Sequence, residues 1–135
     1  MESCRDAASP PETSGVVIYV CTTCRRRDRP DCEPRPGTIL AQSTIQAAQA
    51  QGVAVRTVEC LANCSRGASA AMRSERSWTY VFGELDETCA EALVEGALLL
   101  ADAKDGLMPW RGRPEALKRG LIARVPPAFF GRDFT

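Results

Sequence analysis

Two apolar, β-branched runs that each lead into a close pair of cysteines set the strongest constraint on how this chain can fold. Val16-Val-Ile-Tyr-Val20 runs into Cys21-Thr-Thr-Cys24, and Val53-Ala-Val-Arg-Thr-Val58 leads through Glu59 into Cys60-Leu-Ala-Asn-Cys64. Both runs read as strands. Between them the segment from Cys21 to Gly37 holds Pro30, Pro34 and Pro36 among many charges and reads as an irregular loop. Thr38 to Gln51 then carries Leu40, Thr44, Ala47 and Ala48 at helical spacing and closes on Gly52, which predicts a helix. If that helix forms a right-handed crossover, the two strands are parallel and their C-terminal ends share one edge of the sheet. The cysteine pairs then converge.

Further along, Ser69–Ser74 and Trp78–Phe82 flank Glu75-Arg76-Ser77 and read as a hairpin. Trp78, Tyr80 and Phe82 alternate, as residues on one face of a sheet do. Asp86 is placed to cap a helix from Glu87 to Lys104, with Leu93, Val94, Ala97, Leu100 and Ala101 on one face and Gly106 beyond its end. The expectation is an α/β fold with a mixed sheet in the order β-α-β-β-β-α. Past Gly106 a proline-rich stretch, a short helix over Glu115–Arg119 and Ala123-Arg-Val-Pro-Pro127 read as a wrapping extension. Its Trp110, Phe129, Phe130 and Phe134 call for a core edge or a partner to cover them.

The chain has seven cysteines and no histidine. Zinc sites with imidazole ligands, Rieske centres, facial triads and histidine-assisted nucleophiles are therefore excluded. What remains is a four-thiolate site, holding an iron-sulfur cluster or structural zinc, or else thiol redox chemistry. A 2Fe-2S cluster takes two thiolates per iron, which suits two close pairs on adjacent loops. A Cys4 zinc site tolerates the same spacings, but 135 residues at 44% hydrophobic can build a core without a metal. A reactive dithiol wants its first cysteine at a helix N-terminus, whereas Cys24 runs into Arg25-Arg26-Arg27-Asp28-Arg29-Pro30. Arg25, Arg26 and Arg27, with Arg66, could offset an anionic cluster and dock an acidic redox partner; a merely solvated loop is the alternative. Cys4 falls in the tail, and Cys89 reads as a small apolar filler.

The 17 basic and 17 acidic residues cancel, which gives no electrostatic argument for nucleic acid or membrane. No stretch reaches the roughly 18 apolar residues of a membrane span, and Met1 to Gly15 has no apolar signal-like core. With an odd cysteine count, this points to the reducing cytoplasm. Paired carboxylates and a glycine-rich phosphate loop are both missing, so the chain reads as an electron carrier or metal-binding protein and not as an enzyme.

The strand-to-cysteine loop, the helix, the second strand into Cys60-Leu61-Ala62-Asn63-Cys64 with Gly67 three residues on, the hairpin and the following helix together resemble the thioredoxin-like 2Fe-2S ferredoxins. Cys21-Thr-Thr-Cys24-Arg25, Pro36-Gly37, Cys60-Leu61, Cys64, Thr79-Tyr-Val-Phe-Gly83, Arg113-Pro114 and Ala123-Arg-Val-Pro-Pro127 are similar to a family of bacterial predicted metal-binding proteins of undetermined function. The resemblance covers roughly residues 16 to 128, and departs at Ala68, where many members carry another cysteine. It implies a thioredoxin-like mixed sheet over residues 16–105, after a disordered tail at 1–15 and before a C-terminal wrapping extension at 106–135. It further implies a 2Fe-2S cluster on Cys21, Cys24, Cys60 and Cys64, one-electron transfer to a redox partner protein, and a homodimer through the hairpin or the aromatic tail. Cys32 is an alternative to Cys24, because the ferredoxins often place their second ligand ten or more residues after the first. The family's setting near cobalamin and cobalt genes supports a different reading, a structural-zinc or metal-handling interaction module.

Overall fold

The computed structural model describes residues 15–23, 35–62 and 67–128. Eight elements follow in the order β1 Val16–Cys21, α1 Pro36–Gln49, β2 Ala54–Val58, β3 Ala68–Ser74, β4 Thr79–Leu85, α2 Ala90–Asp102, α3 Glu115–Arg119 and β5 Leu121–Val125. The five strands make one sheet in the order β2-β1-β3-β4-β5. The β1–β2 pair is parallel and every other neighbour antiparallel, so the sheet is mixed.

β1 is the central organiser. Val16, Ile18 and Val20 are fully buried while Val17 and Tyr19 are half-buried, the period of two that a strand covered on one face requires. Ile18 lies opposite Met72, and Met72 opposite Tyr80. Val20 lies opposite Ala70, and Ala70 opposite Phe82. Directly opposed residues share a face, so these rows build the floor of the core, with Tyr80 and Phe82 stacked at 6.2 Å between ring centroids. Leu40, Ala41, Thr44 and Ala48 of α1 and Leu93, Val94, Ala97 and Leu100 of α2 close over that floor. Each large apolar side chain buried here contributes on the order of 1.5–3 kcal/mol.

The crossover helix starts earlier than its periodicity indicates, because Pro36 has no amide hydrogen to lose and takes the first helical position. The second helix starts later, at Ala90. Asp86 does not cap it. Its carboxylate instead accepts the Thr88 amide at 2.8 Å and its carbonyl accepts the Cys89 amide at 3.1 Å, so the chain makes a turn before Cys89 becomes the residue preceding the helix. The segment after Gly106 supplies α3 where expected and also the edge strand β5, for which the sequence reading had no strand. Among the described residues, no helix is long and apolar enough to cross a membrane.

Candidate metal centre

Cys21 is the last residue of β1 and is fully buried. In the parallel ladder it lies in register with Val58, the last residue of β2, and the Thr22 amide donates to the Val58 carbonyl at 2.9 Å. Cys60 follows two residues beyond Val58 and is exposed. The parallel pairing therefore brings Cys21, at the end of β1, and Cys60, just past the end of the neighbouring β2, to the same edge of the sheet, one thiol inside and one facing solvent.

Both sulfurs are held by polar contacts. The Cys21 thiol donates to the Glu59 carbonyl at 3.4 Å, and the Thr23 hydroxyl donates to the same carbonyl while lying 3.7 Å from the Cys21 sulfur. The Cys60 sulfur accepts the Ala62 amide at 3.2 Å. For that amide to point back, Ala62 takes a left-handed backbone, φ 61°, a conformation that costs a non-glycine residue on the order of 1 kcal/mol. Amide-to-sulfur bonds of this kind orient a cysteine sulfur, and around metal-bound sulfur they tune the metal.

A second set of contacts ties this edge to α1. Thr38, in the first turn, donates from its hydroxyl to the Thr22 carbonyl at 3.0 Å, and Arg35, which precedes the helix, donates to the Thr23 carbonyl at 3.5 Å. The N-terminal end of a 14-residue helix thus abuts the loop that leaves Cys21. These contacts fix the course of the chain as it leaves Cys21. Thr22, Thr23 and Thr38 were not singled out from the sequence. The adjacent threonines inside the Cys-Thr-Thr-Cys run were the available signal, since hydroxyls beside a strand end serve to hold loop carbonyls.

Cys24, Cys32 and Cys64 lie outside the described residues, as do Cys4, Arg25, Arg26, Arg27, Arg66, Phe129, Phe130 and Phe134. Among the described residues no three ligand-type side chains cluster. Cys89 is not drawn into the site. It exchanges contacts with Asp86, accepting its amide at 3.5 Å and donating to its carboxylate at 3.4 Å. Burial pushes the Cys89 thiol above its ordinary value, and the Asp86 charge adds to the rise.

The profile of one protein family matches residues 18–127, most of the chain and both cysteine runs. The chain belongs to the DUF1636 family. Its description is a protein of unknown function. No curated protein matches this DUF1636 chain significantly. Among solved structures, it is similar to a thioredoxin-like [2Fe-2S] ferredoxin from Aquifex aeolicus at 16% identity and a TM-score of 0.52, covering 85% of this chain and 97% of the ferredoxin. A second structure of the wild-type Aquifex aeolicus ferredoxin gives 16% identity and a TM-score of 0.53 over 80% of this chain and 96% of the other. At this identity the likeness establishes a shared thioredoxin-like fold.

Proposed function

We propose that this DUF1636 chain is a 2Fe-2S ferredoxin-like electron carrier whose cluster is held by Cys21, Cys24, Cys60 and Cys64. The observation that carries this reading is the parallel β1–β2 register, which puts one cysteine of each pair at the same sheet edge. The donor chemistry fits the group, since Cys21 and Cys60 both carry thiols and the Cys60 sulfur accepts a backbone amide. The likeness to an Aquifex aeolicus thioredoxin-like [2Fe-2S] ferredoxin supports the same reading. When bound, such a cluster supplies one-electron transfer. The chain's own contribution is to orient the sulfurs through Thr23 and the Ala62 amide and to hold the loop after Cys21 through Thr38 and Arg35. The chain then acts on a redox partner protein, as a carrier and not an enzyme, in the reducing cytoplasm that keeps thiols available.

Metal and sulfide analysis tests the proposal. Aerobically purified full-length protein is expected to absorb between about 400 and 550 nm and to hold about two iron and two acid-labile sulfide per chain. A colourless protein with one zinc per chain would overturn it and favour the structural-zinc or metal-handling module.

A further inference from the structure

Charge is unevenly spread along this chain although its net charge is zero. Residues 84–105 carry seven carboxylates and one lysine. Within that stretch α2 holds Glu91, Glu95 and Asp102 without a cation, and α1 beside it has no charged residue at all. The seam between the two helices opens into a groove of ≈ 280 Å³ lined by Ala47, Gln51, Glu91, Val94, Glu95 and Leu98. Val94 is buried and Ala47 and Leu98 are half-buried, which gives an apolar floor, whereas Gln51, Glu91 and Glu95 stand exposed at its rim. Neither glutamate takes part in an ion pair among the described residues.

These charges work against the helix that carries them. Glu91 and Glu95 are four residues apart on one face, where like charges repel across a single turn. Asp102 lies in the last turn, where a negative charge opposes the helix dipole and no basic residue offsets it. A partner's cations relieve both.

We propose that this groove takes a basic amphipathic helix from a partner protein, its apolar stripe on Ala47, Val94 and Leu98 and its lysines or arginines on Glu91 and Glu95. Two helices packed side by side leave a furrow along their seam, and a third helix fills such a furrow with side chains three and four residues apart. Rim carboxylates one turn apart match cations one turn apart on that helix, which fixes its register. Neither Cys21 nor Cys60 lines the groove, so this surface is separate from the candidate metal centre and does not depend on which metal the cysteines hold.

Fluorescence anisotropy and amide NMR on the full-length chain test this with a defined probe, a labelled peptide of about 18 residues with leucines at helical spacing and lysines beside them. The control peptide has the same composition in strict leucine-lysine alternation, which keeps the charge and removes the apolar helical face. The helical probe is expected to bind, more weakly as salt rises, with amide shifts confined to the α1–α2 seam. Glu91→Lys and Glu95→Lys are each expected to weaken binding at least about tenfold. Glu95→Lys also places a cation four residues after Glu91, so it is expected to unfold at a higher urea concentration than the wild type, which separates lost binding from lost folding. No binding at about 0.1 mM peptide in low salt, equal binding of the control, or indifference to both charge reversals would each overturn the proposal. Seam shifts that grow with protein concentration before any peptide is added would overturn it too, since a second copy would then be the occupant.

Discussion

The Tyr80 hydroxyl accepts a hydrogen bond from the Met108 amide at 2.8 Å, pinning the segment after α2 to the buried centre of the sheet. Tyr80→Phe keeps the ring beneath Arg113 but leaves a buried amide without its acceptor, which costs about 1–3 kcal/mol. Urea unfolding is expected to show a lower midpoint with an unchanged slope, since the same surface is exposed on unfolding. A change in slope would mean that the segment had detached from the native state.

The parallel β1–β2 pairing was legible because Val16–Val20 and Val53–Val58 are apolar runs separated by one helix of crossover length, and strand twist fixes the hand of such a connection. The helix faces were legible for the same reason: Leu93, Val94, Ala97 and Leu100 all turned out buried. β5 was not legible. Leu121–Val125 sits at the sheet edge with four of five residues exposed, so burial leaves no periodic trace, and only its register against β4 makes it a strand. Asp86 misled because a carboxylate that satisfies Thr88 in a turn carries the same signature as one that caps a helix. At the site, the cysteines announced themselves by spacing, whereas Thr38 reaches Thr22 across sixteen residues and only the folded chain brings them together.

Gly106 carries the turn that meets the β3–β4 hairpin, its carbonyl accepting the Trp78 amide at 2.9 Å. Its φ is +77°, and an added Cβ would lie 2.8 Å from the Arg76 carbonyl oxygen. Gly112 has a similar φ, +83°, with nothing within 4 Å of an added Cβ. Gly112→Ala is therefore expected to cost about 1 kcal/mol of backbone strain alone, and Gly106→Ala about 1–3 kcal/mol more through the clash. Equal thermal unfolding midpoints for the two variants would contradict the close approach at Gly106.

Cys89 gives a pH dependence with a defined sign. Its thiol is held above the ordinary value by burial and then by the Asp86 charge, so the folded chain retains a proton that the unfolded chain releases. The resulting stabilisation is fully present below the unfolded value, roughly 8.5, and is lost as pH rises through the folded value. The stability difference between wild type and Cys89→Ser is expected to move against the wild type as pH climbs from about 8 to 10. A difference that stays flat across that window would show that the thiol is not perturbed.

Thr38→Val keeps shape and removes the hydroxyl that holds the Thr22 carbonyl. The expected loss of stability is about 0.5–1.5 kcal/mol. Because that bond ties α1 to the residue after Cys21, cluster loss under chelator is expected to accelerate more than global unfolding does. If both rates shift alike, Thr38 supports the fold and nothing specific at the edge.

Single Cys-to-Ser changes apportion the proposed ligands. Cys21→Ser and Cys60→Ser remove the two thiols that the parallel strands bring to one edge, and each is expected to bleach or distort the visible spectrum. Serine at position 89 leaves the spectrum intact, since that thiol is engaged with Asp86 at the start of α2. The pair choice is decided by Cys24→Ser and Cys32→Ser measured side by side. Loss of the spectrum in the first and retention in the second support two close pairs, one for each iron. The reverse outcome would move the second ligand to Cys32 and leave only the Cys60–Cys64 pair closely spaced, while bleaching in neither would remove both from the ligand set.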